Sequence, residues 1–251
     1  MGFDIGNTIL SSESIGPKGE GMKPKTSGLV FHFDGGNSAS IGTSYTRFRD
    51  LSGNENNGSL NEGAVYSSSN GGGVNFQGTG AYMVSPSSTS LNSMINNMSL
   101  VAWFSIPQNG LSERQAIFCK DYRQYELGIY PGGGVHTYTG NGPGGANYDE
   151  GIYAYHPSGD WIANKIYNVI WTLDGTSEKC YFEGTLASNG GTYTKGNTGT
   201  RTSSELLFLG RRFNAQLIFK GNLYIAQIYN KTLTQTDVTR HYNAYKGRFG
   251  L

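Results

Sequence analysis

Cysteine is nearly absent: Cys119 and Cys180 stand alone, each among apolar or aromatic neighbours (Ile117 and Phe118; Tyr181 and Phe182). Two such residues exclude a disulfide framework and any CxxC-type metal or redox site. The expectation is a pair of buried free thiols, with one disulfide as the lesser alternative. Charge is sparse as well. Only 15% of the 251 residues are charged, 19 basic against 18 acidic, for a formal net charge of +1. With no basic run or stripe to follow a phosphate backbone, nucleic acid is not an expected partner. No apolar run approaches the roughly 18 residues that cross a bilayer, so no membrane insertion is expected. The opening "MGFDIGNTILSSESIG" has neither a basic n-region nor a continuous apolar stretch, which predicts a soluble chain made in a cytoplasm.

What is abundant points one way. Glycine (38), tyrosine (17) and phenylalanine (12) supply turns and half-buried pleated surfaces. From Gly28 onward, short runs of period-2 character alternate with Gly/Ser/Asn/Thr clusters. They are Leu29–Phe33, Val74–Phe76, Tyr82–Val84, Ser99–Ile106, Ala116–Lys120, Glu126–Tyr130, Ile152–Tyr155, Ile166–Leu173, Lys179–Phe182, Leu206–Leu209 and Leu217–Tyr229. With no long helical period between them, they predict an all-β, two-sheet antiparallel sandwich over residues 28–251. Thr234 reads as an N-cap with Asp237 at N3, and Val238, Tyr242 and Tyr245 follow at helical spacing before Gly247, so one short helix is expected at about Gln235–Tyr245. Residues 1–27, with "GPKGEGMKPK", lack any such pattern and read as an extended arm, held against its own domain or a neighbouring chain.

Several segments, in order, resemble the laminin-G-like, concanavalin A-like lectin/glucanase superfamily. "GLVFHFDGGN" (28–37) is similar to its opening strand and turn, and "DLSGNENNG" (50–58) to its Asp-Leu-Ser-Gly-Asn loop. "VNFQGTGAYM" (74–83), "MSLVAWFSI" (98–106) and "YNVIWTLDGTSEKCYFEGTL" (167–186) are similar to later strands, and "FLGRR" (208–212) with "FKGNLYIAQIYNKTLT" (219–234) completes the series. The resemblance implies a jelly roll and, in the ending "YNAYKGRFGL" together with the polar arm, a tailed-phage virion protein. Two departures stand out. Ala81 occupies a position that is often acidic, and Leu223-Tyr224-Ile225 replaces a common Ile-Asp-Glu, which argues against the calcium site that some relatives carry.

The chemistry is sparse. A retaining glucanase needs two carboxylates about 5 Å apart, usually at alternate positions of one strand. No strand-like run has that alternation. Asp34, Asp50, Glu55, Asp121, Glu126, Asp149, Glu150, Asp160, Asp174, Glu178 and Glu183 read as loop or isolated acids. No Gly-x-Ser-x-Gly elbow is present. His32 reads as an outward strand residue, His241 as part of the helix, and Trp103 and Trp171 as core. "RDLSGNENNGSL" (49–60) reads as a structural turn capped by Asp50, with calcium at Asp34 or Asp50 as a lesser alternative. The insert 131–161, "PGGGVHTYTGNGPGGANYDEGIYAYHPSGDW", is the most suggestive segment. Rings that stack on sugars, amide and carboxylate groups that bond hydroxyls, and permissive glycines make Tyr138, Asn147, Tyr148, Asp149, Tyr153, Tyr155, His156 and Trp161 the candidate glycan-binding residues. The same composition suits subunit or virion contacts, or an inert loop. Trp161, without a counterpart in the family pattern, is the tryptophan expected to bind.

The resulting expectation is a non-catalytic, homo-oligomeric virion surface component with no cofactor. It is a head decoration, fibre or tail protein, tethered to other virion proteins and sister subunits by arm 1–27, with its loops turned to host or environmental glycans. A stand-alone carbohydrate-binding module of a bacterial surface protein is the first alternative and a glycoside hydrolase the second.

Overall fold

The computed structural model describes residues 24–42, 44–77, 80–121, 124–140, 148–196 and 202–251, with 148–150 as backbone. The greater part of the expected arm, residues 1–23, lies outside the described residues. The strands of the first half are β1 (Leu29–Asp34), β2 (Arg47–Phe48), β3 (Gly58–Asn61), β4 (Ala64–Ser67), β5 (Gly73–Phe76), β6 (Tyr82–Ser85), β7 (Asn97–Ser105) and β8 (Gln115–Lys120). The one-turn helix α1 (Thr89–Asn92) follows β6. Next come β9 (Tyr125–Tyr130), β10 (Gly134–Gly140), β11 (Tyr148–Tyr155), β12 (Tyr167–Asp174) and β13 (Ser177–Phe182). β14 (Thr185–Leu186), β15 (Thr192–Thr194), β16 (Leu207–Leu209), β17 (Gly221–Tyr229) and the helix α2 (Gln235–Lys246) complete the chain.

Two antiparallel sheets result, as the alternating runs predict. The first runs β14-β13-β12-β7-β17-β5-β4, with β1 also on β17 and β15 on β13; the second runs β11-β10-β9-β8-β16-β6-β3-β2. Their inner faces close over one core that includes Phe31, Phe33, Phe104, Phe118, Tyr167 and Trp171. β7, β12 and β17 read as nearly continuous apolar runs because both of their faces are covered. Val101, Trp103, Ile170, Tyr224, Ile225 and Tyr229 point away from the core into a second cluster beneath α2. There Trp103 stacks on Tyr242 (5.7 Å, 3°) and on Phe249 (5.0 Å, 28°). Cys119 and Cys180 are buried and free.

The helix starts where the capping pattern places it. The Thr234 side chain accepts the Asp237 N–H while Asp237 Oδ2 accepts the Thr234 N–H. Asp237 also holds Lys25 Nζ at 2.9 Å, and Tyr229 Oη donates to Lys25 O at 2.9 Å, so the last residues of the expected arm lie against α2. At the other end Arg248 bonds Asp34 and the carbonyls of Gly71 and Gly72.

Two expectations are corrected. The strand expected from Leu217 begins only at Gly221, because Leu217 sits at a positive φ of 50°. The insert 131–161 is not one long loop: it contains all of β10 and β11, paired from Gly134↔Tyr155 to Gly140↔Tyr148. Gly, Thr and Tyr at alternate positions disguise the pattern. His32 does project from the outer face of β1, but α2 roofs it and leaves it half-buried.

Beneath that roof His241 is 1% exposed, and burial pushes its imidazole down to about 3. Its Nε2–H donates to Gln227 Oε1. The unfolded chain, with histidine near 6.5, binds a proton there that the folded state does not. Stability is therefore complete above about pH 6.5 and falls as pH drops toward 3. Urea-unfolding midpoints measured from pH 7 to pH 4 are expected to decline, and to decline less in His241→Gln, with the difference isolating this group.

Candidate functional site

The outer face of the first sheet packs under α2 at β7, β12 and β17, and the outer face of the second sheet, buried over β8, β9 and β10, opens toward its β2 end. At its β2 end, Arg47-Phe48-Arg49 alternates across the strand. Phe48 enters the core, edge-on to Phe31 and Phe33 at 5.9 Å each, and both arginines are exposed. β2 is held by the turn that follows. Asp50 Oδ1 accepts the N–H groups of His32 (2.8 Å) and Ser52 (2.9 Å), and Oδ2 accepts Asn56 N–H (3.0 Å) and Ser52 Oγ–H (2.7 Å). Gly53 takes φ +87° in this turn. A Cβ on Gly58 would lie 2.0 Å from Val84 O and 2.4 Å from the Phe48 ring, so only glycine lets β3 approach so closely.

This packing leaves a groove of about 810 Å³. Arg47, Arg49, Asn57 and Ser59 give it a polar side, and Phe48, Val84, Pro86 and Leu206 an apolar one. Between its lining residues Ser44 and Arg47 comes Tyr45, at φ 52° and 55% exposed, the only exposed aromatic side chain among the described residues. Its ring lies parallel to Tyr66 at 5.0 Å.

The opposite end of the same face carries a second cluster. Arg114 bonds the hydroxyls of Tyr138 and Tyr153, the latter at 2.9 Å, and Tyr130 packs edge-on to Tyr153 (5.6 Å) and Tyr155 (5.5 Å). Glu126, fully buried, accepts a fork from Arg212, with Nε at 2.7 Å and Nη2 at 2.6 Å. Burial would push this carboxyl up, but Arg212 and His136 outweigh it and hold it below the usual range. His136, 3.5 Å from Glu126 Oε1, is driven toward neutrality by burial. Between the two ends, the Arg211 guanidinium lies 3.5 Å over the Tyr82 ring.

The expected site residues therefore divide. Tyr138, Tyr153 and Tyr155 come together on this face. Asn147 lies outside the described residues, and Tyr148 and Asp149 are backbone positions of β11, opposite Gly140 and Thr139. His156 and Trp161 face the other way. Trp161 is 1% exposed, packs edge-on to Tyr167 at 4.7 Å and donates Nε1–H to Tyr130 O at 2.9 Å. It is a core residue, not a binding ring, because the chain after β11 folds back under the sheet. His156 Nε2 meets Glu183 Oε2 at 3.0 Å and its Nδ1 meets Ser158 Oγ at 2.7 Å. That Ser-His-Glu order is a turn clasp: Ser158 N–H also donates to Nδ1 and Gly159 N–H to His156 O, so neither nearby amide is available for an oxyanion.

Of the acids read as loop or isolated, Asp34, Glu126, Asp149, Glu150, Asp174 and Glu178 are strand residues, and of these Glu126 and Glu178 are fully buried. Glu126 is on the outer face, whereas Glu178 lies between the sheets, where Thr137 Oγ1 (2.8 Å) and Trp171 Nε1 (2.9 Å) donate to its Oε2. Burial raises the Glu178 carboxyl despite those donors. Asp34 and Asp50 are spent on Arg248 and on backbone donors, and no group of three metal-ligating side chains occurs among the described residues. The groove residues Arg47, Arg49 and Ser59, and Tyr45 beside them, were not among the expected site residues. Their signal was the Arg-Phe-Arg alternation, too short to read as a strand.

A family model for the concanavalin A-like lectin/glucanases superfamily matches residues 77–239. The chain belongs to this superfamily. Among solved structures, Trypanosoma rangeli sialidase in complex with sialic acid is similar at TM-score 0.60 and 16% identity, over 88% of this chain and 33% of the sialidase. The binding domain of Paraclostridial Mosquitocidal Protein 1 matches at TM-score 0.63 and 14% identity, over 87% of this chain and 52% of that one. Domain 4 of AbnA, an extracellular arabinanase from Geobacillus stearothermophilus in complex with arabinotriose, matches at TM-score 0.56 and 16% identity, over 84% of this chain and 96% of that domain. The chain thus spans about a third to a half of the first two and nearly all of the third. No curated protein matches by sequence. At these identities the likeness establishes the lectin/glucanase fold.

Trp161→Ala is expected to lower unfolding stability by about 3–5 kcal/mol, as for other buried aromatic truncations. Tyr155→Ala, on the half-exposed outer face, is expected to cost under about 1.5 kcal/mol. Urea titration of the two variants checks this ordering.

Proposed function

We propose that this chain is a non-catalytic carbohydrate-binding domain that takes its ligand in the groove at the β2 end of the second sheet. The observation that carries the reading is an exposed tyrosine on left-handed backbone beside an 810 Å³ groove that joins an apolar floor to unspent polar side chains. Stored backbone strain at an exposed ring fits a binding role, and an aromatic plane with nearby hydrogen-bonding groups suits a sugar, which has an apolar face and a hydroxyl rim. The fold of an arabinanase domain solved with arabinotriose supports it. The absence of catalysis rests on the acids: Glu126 is locked to Arg212 on one side of the second sheet, and Glu178 is sealed between the sheets on the other. Neither has a partner carboxylate placed for glycoside hydrolysis.

A glycan array is expected to return hits with the intact chain. Ser59→Tyr, which fills the groove, is expected to abolish them without lowering the melting temperature. Tyr45→Ala is expected to weaken binding roughly fivefold, the equivalent of about 1 kcal/mol of ring contact. An array without hits, or hits untouched by Ser59→Tyr, overturns the reading.

The finer placement is display on a tailed-phage particle, with residues 1–27 docking the domain to virion proteins or sister subunits. It rests on the resemblance of the ending and on the arm's composition. The contacts of Lys25 with Asp237 and Tyr229 support it by fixing where the arm leaves the domain, beside the N-terminus of α2. Deleting residues 1–23 is expected to leave the melting temperature unchanged and to stop incorporation into particles; normal incorporation of the shortened chain sinks this placement.

A further inference from the structure

The groove is unusual in the kind of hydrogen-bonding capacity it offers. Arg47 and Arg49 line it from alternate positions of one extended segment, their Cα atoms about 7 Å apart by strand geometry. Both are exposed, and neither guanidinium has a carboxylate or any other hydrogen-bond partner within the described residues. Other arginines on this face and in the clamp are spent internally: Arg212 on Glu126, Arg211 on Glu62, Arg248 on Asp34 and Arg114 on two tyrosines. Asn57 Oδ1 accepts the Asp50 N–H at 2.8 Å. Ser38, Ser44 and Ser59 add hydroxyls, and no Asp or Glu lines the groove.

A neutral sugar offers as many donors as acceptors, and sites for neutral sugars supply carboxylate or carbonyl acceptors to meet the hydroxyl donors. This groove supplies two fixed positive charges and, among the described residues, no carboxylate. Its complement is a ligand rich in anionic oxygen, which guanidinium forks hold by paired charge-assisted bonds. Arg47, Arg49, Asn57 and Ser59 also precede the residues 77–239 that match the family model, so this chemistry belongs to the part of the chain outside the match.

We infer that the groove selects acidic glycans, bearing uronate carboxylates or sulfate esters on the sugar ring, through Arg47 and Arg49. The inference rests on the carbohydrate-binding reading above. It is tested by isothermal titration of the full chain with four probes at equal concentration: an oligogalacturonate, its fully methyl-esterified form, a sulfated galactan oligosaccharide without uronate, and a single-stranded oligodeoxynucleotide.

At least one of the two acidic glycans is expected to bind at least about tenfold more tightly than the neutral ester, a difference within the reach of charge-assisted pairs. Which of the two it is identifies carboxylate or sulfate as the anion. That advantage is expected to shrink between 50 and 300 mM salt and to vanish in the Arg47→Gln/Arg49→Gln double variant, with the melting temperature unchanged. If the neutral ester binds as tightly as the acidic glycans, this inference falls and the carbohydrate-binding reading stands. If none of the three glycans binds, this inference falls, and hits or none on the glycan array decide the carbohydrate-binding reading. If the oligodeoxynucleotide binds as tightly as the acidic glycans, or the double variant keeps the preference, the selectivity assigned to the arginine pair is overturned.

Discussion

The architecture depends on the clamp that α2 and the residues after it place on the outer face of the first sheet. Trp103, on a central strand of that sheet, points away from the main core and is nonetheless fully buried, between Tyr242, Tyr245 and Phe249. A capped helix and the Arg248 contacts with Asp34 and with the β4–β5 turn hold that cover at both ends. The first sheet is thereby covered over much of both faces, whereas the second sheet's outer face is buried over β8, β9 and β10 and opens at its β2 end, where the groove lies.

Buried polar groups reinforce this division. Glu178 and Glu126 are both fully buried acids, yet their environments send them in opposite directions. Between the sheets Glu178 has neutral donors and is driven toward the protonated acid, whereas Glu126 has the Arg212 fork and stays ionised. The first ties β10 and β12 to β13 across the core; the second ties the segment after β16 down onto β9. Both side chains act as fasteners. At the groove Arg47 and Arg49 are left to solvent or a ligand.

Much of the framework was legible in the chain. Alternating runs such as Glu126–Tyr130 and Lys179–Phe182 form strands, the Thr234/Asp237 pattern caps a helix within one residue of its expected end, and the Asp50 turn is built from the backbone donors its sequence calls for. The candidate site was legible only in part. Tyr138, Tyr153 and Tyr155 do share a face, because alternate residues of paired strands must. Trp161 and His156 belong to the core, because a turn after β11 reverses their direction, and no local pattern announces that reversal.

The all-β class, the capped helix and the burial of both cysteines follow from periodicity, turn chemistry and apolar flanks, which act over a few residues at a time. Where the groove opens and which arginines are paired follow from contacts between distant parts of the chain. Arg47 and Arg212 look alike in the chain. One meets a buried carboxylate from a strand 86 positions away in sequence, and the other meets nothing but the groove. Ion pairing is a matter of distance in space, and long-range packing sets that distance.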